Sequence, residues 1–211
     1  MISNLILAAA LAAWPAPLRD AVTAERLPAK LALTMTIDAN EGRTIAMHDI
    51  AGAWSVKPAK PGAPSKAEQN ALIALKRTKP ERDLACVTRA ATIPAAVTLK
   101  SETAEDAVYS YKPTPAPDTT SQVAAALKYS LAEIRVAKAK PHIIGGRIWT
   151  QSPFSPVPLT KVHSYSDTYE CGPAPNGVSL VTHSLFELDF SAFGARRQTK
   201  RVTQLSDIVA Q

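Results

Sequence analysis

The chain has 211 residues, 46% of them hydrophobic and 20% charged, a balance too apolar for intrinsic disorder and a length suited to one domain. Its 24 Lys and Arg exceed its 18 Asp and Glu, giving a formal charge of +6. Only 6% of residues are aromatic and they do not interleave with the basic runs, so stacking on nucleic-acid bases is not expected.

Leu5 to Ala13 is an unbroken apolar, Ala-rich run, and Val22-Thr23-Ala24 has the small-x-Ala shape that a signal peptidase cuts. The expectation is an export signal over 1–24 followed by a single α+β domain over 25–211, placed in the periplasm or secreted. The segment before Leu5 has no Lys or Arg, and the alternative is an N-terminal helix that buries an Ala-rich face. Trp14, Pro15 and Pro17 end the run well short of the ~20 residues that cross a bilayer, so no transmembrane segment is expected in the mature chain.

In an exported chain, a sole pair of cysteines, Cys86 and Cys171, predicts one disulfide. Closing so long a loop stabilises by roughly 4–5 kcal/mol in the chain-entropy account.

Leu31, Leu33, Met35 and Ile37 alternate with small or polar residues, and Asp38-Ala39-Asn40-Glu41-Gly42 is turn chemistry, so a hairpin with a second strand over Arg43–Ile50 is expected. Pro58, Pro61, Gly62 and Pro64 break the chain. Ser65-Lys66-Ala67-Glu68 is a capping box that opens a helix over 66–78, and Pro80 starts another to about Ala91, with Leu84, Val87 and Ala91 inward and Cys86 on it. Short strands follow at 96–100 and 107–112, then an extended loop with Pro113, Pro115 and Pro117.

The segment 121–140 fits a helix through Val123, Leu127, Leu131 and Ile134, while Ala132, Ile134 and Val136 also alternate as a strand does; length and Ala content favour the helix. Strands are expected over Ile143–Gln151, Leu159–Glu170 and Val178–Phe190, parted by turns at 153–158 and 172–177. After Gly194 comes a fourth strand or a closing helix with Val202, Leu205 and Val209 inward. The sum is an α+β protein: a predominantly antiparallel, curved sheet with two or three helices packed on one face, an order compatible with a helix-grip-like layout. No motif carries a family resemblance.

No nucleophile elbow, phosphate-cradling loop, dinucleotide fingerprint or His-Glu-x-x-His pair occurs, so no cofactor is expected and an enzyme is disfavoured. The histidines at 48, 142, 163 and 183 have no partner at zinc-ligand spacing, and no metal is expected. One catalytic alternative remains, a hydrolase using His183 or His163 with Glu187, Asp189 or Asp167; His183, Glu187 and Asp189 share one strand face, where carboxylates two residues apart stand roughly 6–7 Å apart. The stronger candidate is a binding face: His163, Tyr165, Asp167 and Tyr169 point the same way along their strand, with Trp149 beside Gly145, Gly146 and Arg147. The basic clusters at Arg196, Arg197, Lys200, Arg201 and from Lys57 to Arg82 suit phosphate-bearing partners. The function expected is therefore an exported, non-catalytic bacterial cell-envelope protein that binds an apolar or anionic ligand, such as a lipid or glycan, or an envelope protein on its sheet. A structural module of a larger envelope assembly is the further alternative.

Overall fold

The computed structural model describes residues 12–60, 62–116, 119–174 and 178–211. Most of the apolar run from Leu5, together with Pro61, Pro117 and the 175–177 part of a predicted turn, lies outside the described residues. Ten strands form one open, antiparallel sheet: β1 (Leu31–Ala39), β2 (Gly42–His48), β3 (Trp54–Lys57), β4 (Thr98–Glu102), β5 (Asp106–Tyr111), β6 (Ser130–Ala137), β7 (His142–Thr150), β8 (Thr160–Pro173), β9 (Ser179–Ala192) and β10 (Ala195–Ala210). Their spatial order is β3-β2-β1-β10-β9-β8-β7-β6-β5-β4. The chain from β4 to β10 is thus a continuous meander, and the predicted hairpin docks its first strand on the last, with Leu31 opposite Ala210.

The helical segments are α1 (Ala16–Ala24), α2 (Lys66–Leu75), α3 (Pro80–Asp83), a 3-10 helix (Cys86–Thr92) and α4 (Ser121–Leu127). The capping box opens α2 as its sequence predicts: Glu68 N donates to Ser65 Oγ at 3.3 Å, and Ser65 N donates to a Glu68 carboxylate oxygen at 2.6 Å. The helix expected from Pro80 to Ala91 is broken instead. Val181 N donates to Leu84 O at 2.8 Å and Ala85 bridges Leu180, so β9 takes the backbone groups that a continuous helix would use. Beyond the break the turn tightens, which buries Cys86 and Ala90 and leaves Ala91 exposed rather than inward.

Segment 121–140 resolves both of its patterns. Helix stops at Leu127, and from Ser130 the residues Ser130, Ala132, Ile134 and Val136 are buried in strict alternation, because β6 is covered on one face and paired on both edges. The end of the chain is a strand. Val209, expected inward, is 50% exposed, since the β1–β10 register slips around Asp207, whose φ is 51°.

Two apolar clusters form the core. One joins Leu31, Leu33 and Met35 to Trp54, Leu75 and Leu180; the other joins Tyr109, Tyr111, Ile134, Val136, Ile143 and Tyr169 to α1 and the 3-10 helix. Trp14, Leu18, Ala21 and Val22 are buried in the second cluster, and Trp14 Nε1 donates to Pro94 O at 2.7 Å. A cut after Ala24 would remove these four side chains from it. Just beyond α1, Glu25 is buried and accepts from Ile143 N at 2.7 Å, while its second oxygen has no partner among the described residues.

The predicted disulfide is present. Cys86 and Cys171 are bonded, with Cα atoms 6.2 Å apart, and so tie the 3-10 helix to β8 across 85 residues of chain. Replacing both cysteines by alanine is expected to lower unfolding free energy by about 4–5 kcal/mol, read by urea titration under oxidising conditions.

Burial pushes the Glu25 carboxyl up to about 7, against the hydrogen bond from Ile143. Below the unfolded value of 4.5 both states are protonated; between 4.5 and about 7 only the unfolded chain ionises, so stability falls as pH rises and levels off above that. The Glu25 contribution to this fall is on the order of 3 kcal/mol. Glu25→Gln keeps an acceptor for Ile143 N without ionising, and denaturation at a series of pH values is expected to show a shallower decline over that interval.

Candidate functional site

Cys86 and Arg89 are three residues apart in a 3-10 helix, whose period of three puts them on one side. Asp167, Tyr169 and Cys171 share a side of β8 through the two-residue period of a strand. The disulfide brings these two rows face to face. Arg89 consequently stands over β8, its guanidinium carbon 5.2 Å from the Tyr169 ring centroid and one terminal nitrogen 3.8 Å from Asp167.

The Tyr169 ring needs room in turn, and Gly146 supplies it, while Gly145 lies against the Tyr169 backbone. A Cβ on Gly146 would meet Glu133 O at 2.5 Å and the Tyr169 hydroxyl at 2.6 Å; one on Gly145, whose φ is +153°, would meet Tyr169 O at 2.6 Å. The glycine pair marks a close approach of β7 backbone to Tyr169.

Arg89, Tyr111, Arg147, Tyr165, Asp167 and Tyr169 line a pocket of about 290 Å³. Burial pushes the Tyr111 and Tyr165 hydroxyls up to about 12, and raises Tyr169 further. Burial also raises the Asp167 carboxyl, against the opposing pull of Arg89 and Arg201. Arg147 is paired to Glu133 at 2.9 Å, and Asp83 at the rim to Arg82 at 3.1 Å. What remains is Arg89 beside the Asp167 carboxylate, with Arg201 acting on it from the neighbouring cleft. Arg89 Nε is buried with no hydrogen-bond partner among the described residues, so the arginine has donor capacity to spare.

Two further cavities each share a wall residue with this pocket. Arg89 also borders a cleft of about 940 Å³ between α2 and the sheet, where Arg201 lies beside Met35, Ile37 and Leu75. Tyr165 also borders a groove of about 420 Å³ whose walls are almost wholly apolar, among them Leu127, Phe154, Val162, Phe186 and Leu188. The groove is built by a small local device: Phe154 exchanges two backbone hydrogen bonds with Val162 and stacks on Tyr129, with centroids 4.9 Å apart. Tyr165 meets Phe186 edge-on at 5.7 Å, and Arg201 lies 5.0 Å over the Phe186 ring.

Of the residues singled out in sequence, Tyr165, Asp167 and Tyr169 line one pocket. His163 does not join them. The β8–β9 register slips between Val162 and Ser164, and the displaced imidazole Nε2 lies 3.1 Å from Ser191 Oγ. Trp149 serves as a platform under Arg147, 4.2 Å from ring centroid to guanidinium carbon. His183, Glu187 and Asp189 share a strand face but do not converge. Arg196 grips both oxygens of Asp189, at 2.9 and 2.5 Å, and holds its carboxyl down at about 2. Glu187 faces Lys200 at 3.5 Å, and His183 borders a separate surface recess with Thr36 and Gln204. No hydrogen bond joins His183 to either carboxylate among the described residues.

Arg89, Tyr111, Phe186 and Leu188 escape the sequence reading. The one clue to Arg89 is its three-residue offset from Cys86, which aims it at β8 only once the segment is read as a tight helix. Arg89→Gln is expected to raise the Asp167 carboxyl further, because the cation that opposes burial is gone; side-chain carboxyl titration by NMR reads the shift. Comparison with models of protein families, with curated proteins and with solved structures finds no match to any of them.

Proposed function

We propose that this chain is an exported, non-catalytic protein of the bacterial cell envelope that binds an amphiphile, its apolar part in the Phe154–Phe186–Leu188 groove and its anionic head at Arg89. The observation that carries this reading is Tyr165, which borders both the apolar groove and the arginine pocket, so that one continuous wall passes from hydrocarbon-like to cationic. An apolar cavity with a few convergent polar groups is the ordinary form of a small-molecule site. Arg89 suits the head because its Nε–H is buried and unpartnered, and a charged acceptor would relieve that cost. On this reading the helical segments cover one face of a curved sheet, and the uncovered strip between them receives the ligand, with Tyr165, Asp167 and Tyr169 as contacts.

The periplasmic or secreted location rests on the apolar N-terminal run and is supported by the disulfide, which persists in oxidising compartments. Processing upstream of Trp14 would leave the core whole. Among the described residues no helix is long and apolar enough to cross a membrane.

N-phenyl-1-naphthylamine is expected to gain fluorescence on binding the protein, and dodecyl phosphate to displace it at lower concentration than dodecanol. Leu188→Glu should abolish dye binding. Arg89→Met should spare it while weakening dodecyl phosphate by at least about tenfold. Absence of dye binding by the folded protein, together with no co-purifying lipid by native mass spectrometry, would overturn the proposal.

A further inference from the structure

The two most exposed large apolar side chains among the described residues are Phe193, at 83%, and Leu159, at 73%. They sit together: Phe193 N donates to Leu159 O at 3.0 Å, at the end of the sheet where β8 begins and the β9–β10 hairpin turns. Both have left-handed backbone, with φ of 50° at Phe193 and 62° at Leu159.

Phe193 and Gly194, with φ of 50° and 80°, are the two central residues of a tight hairpin turn between the paired Ala192 and Ala195. Such turns favour Asn or Asp before Gly, since a bulky side chain at positive φ is strained. Phe193 therefore sits where its backbone is strained and its ring is in water. Leu159 repeats the arrangement a few ångströms away. Neither local conformation nor burial within the fold accounts for these two residues.

The surroundings are cationic. Lys161, Arg196 and Arg197 are exposed close in sequence to the tip, and Lys161 and Arg197 make no ion pair among the described residues. The carboxylate nearest the turn, Asp189, is taken up by Arg196, and no Asp or Glu occurs from 134 to 166 or from 190 to 206. Two exposed apolar side chains offer far less than the ~800 Å² per partner of a stable protein interface. An exposed apolar pair with unpaired Lys161 and Arg197 close in sequence instead matches a bilayer surface, where apolar groups enter the acyl boundary and Lys and Arg meet anionic head groups.

We infer that the Leu159/Phe193 tip inserts into the surface of an anionic lipid bilayer and docks the protein there through Lys161 and Arg197. The surface is independent of the ligand groove, because neither Leu159 nor Phe193 lines it, although Val157 and Thr160 beside Leu159 do.

The test is co-sedimentation of the full chain with phosphatidylcholine vesicles containing about 40% phosphatidylglycerol, against vesicles of phosphatidylcholine alone. Binding is expected to the anionic vesicles, and to weaken as salt rises from about 50 to about 500 mM. The double variant Leu159→Asn/Phe193→Asn should lose at least about tenfold in partitioning. Asn tolerates left-handed backbone, so the double variant is expected to melt at the same temperature or higher and to retain naphthylamine binding. Phe193→Trp should show a blue shift with anionic vesicles only. Equal binding by the double variant and the parent, or equal binding to the two vesicle types, would overturn the inference. So would self-association of the parent without lipid that the double variant abolishes, since the tip would then engage a second copy.

Discussion

The covalent link between Cys86 and Cys171 governs more of this structure than its own stabilising effect. It fastens a 3-10 helix, with three residues per turn, onto a strand with two residues per repeat. Whatever is three places beyond Cys86 must then face whatever is two and four places before Cys171, and those residues are Arg89, Tyr169 and Asp167. The same anchorage sets the chain path upstream, where Leu84 and Ala85 engage β9 and cannot remain helical. It also requires space on the far side of Tyr169, which the bare backbone of Gly146 provides.

Around that anchorage the polar chemistry is concentrated in a small volume. Burial alone would favour neutral side chains, and the raised Tyr111, Tyr165, Tyr169 and Asp167 all follow from it. Arg89 and Arg201 supply the opposing charge. An arginine with an unpartnered buried N–H carries a desolvation cost that an anionic partner would offset. The distal tip shows the same logic in another form: Leu159 and Phe193 strain the backbone and face water, and both costs are local to one exposed end of the sheet.

Legibility in the sequence followed the range of the interactions involved. The capping box of α2 and the alternation of β1 are short-range patterns, and residues 65–68 or 31–37 suffice to identify them. The break after Asp83 was not legible, because Pro80 and the acidic first turn do favour a helix and only contact with β9 interrupts it. His163 was misaligned with Tyr165 for a similar reason: strict alternation placed them together, and a bulge in the β8–β9 register separated them. Glu187 and Asp189 read as free carboxylates until the β9–β10 pairing set Lys200 opposite Glu187 and Arg196 diagonally across from Asp189.

By itself, the order of residues determined an antiparallel, strand-rich body, the existence of one possible cross-link, and three of the side chains that line the arginine pocket. These depend on periodicity, on turn chemistry and on there being only two cysteines, all of which act within the chain's own order. Only the tertiary structure decided that Arg89 would meet them, that an apolar groove would open beside Tyr165, and that Leu159 would stand next to Phe193. Each of those contacts joins residues from distant segments through register slips and one covalent bond, and no local propensity encodes the distance between them.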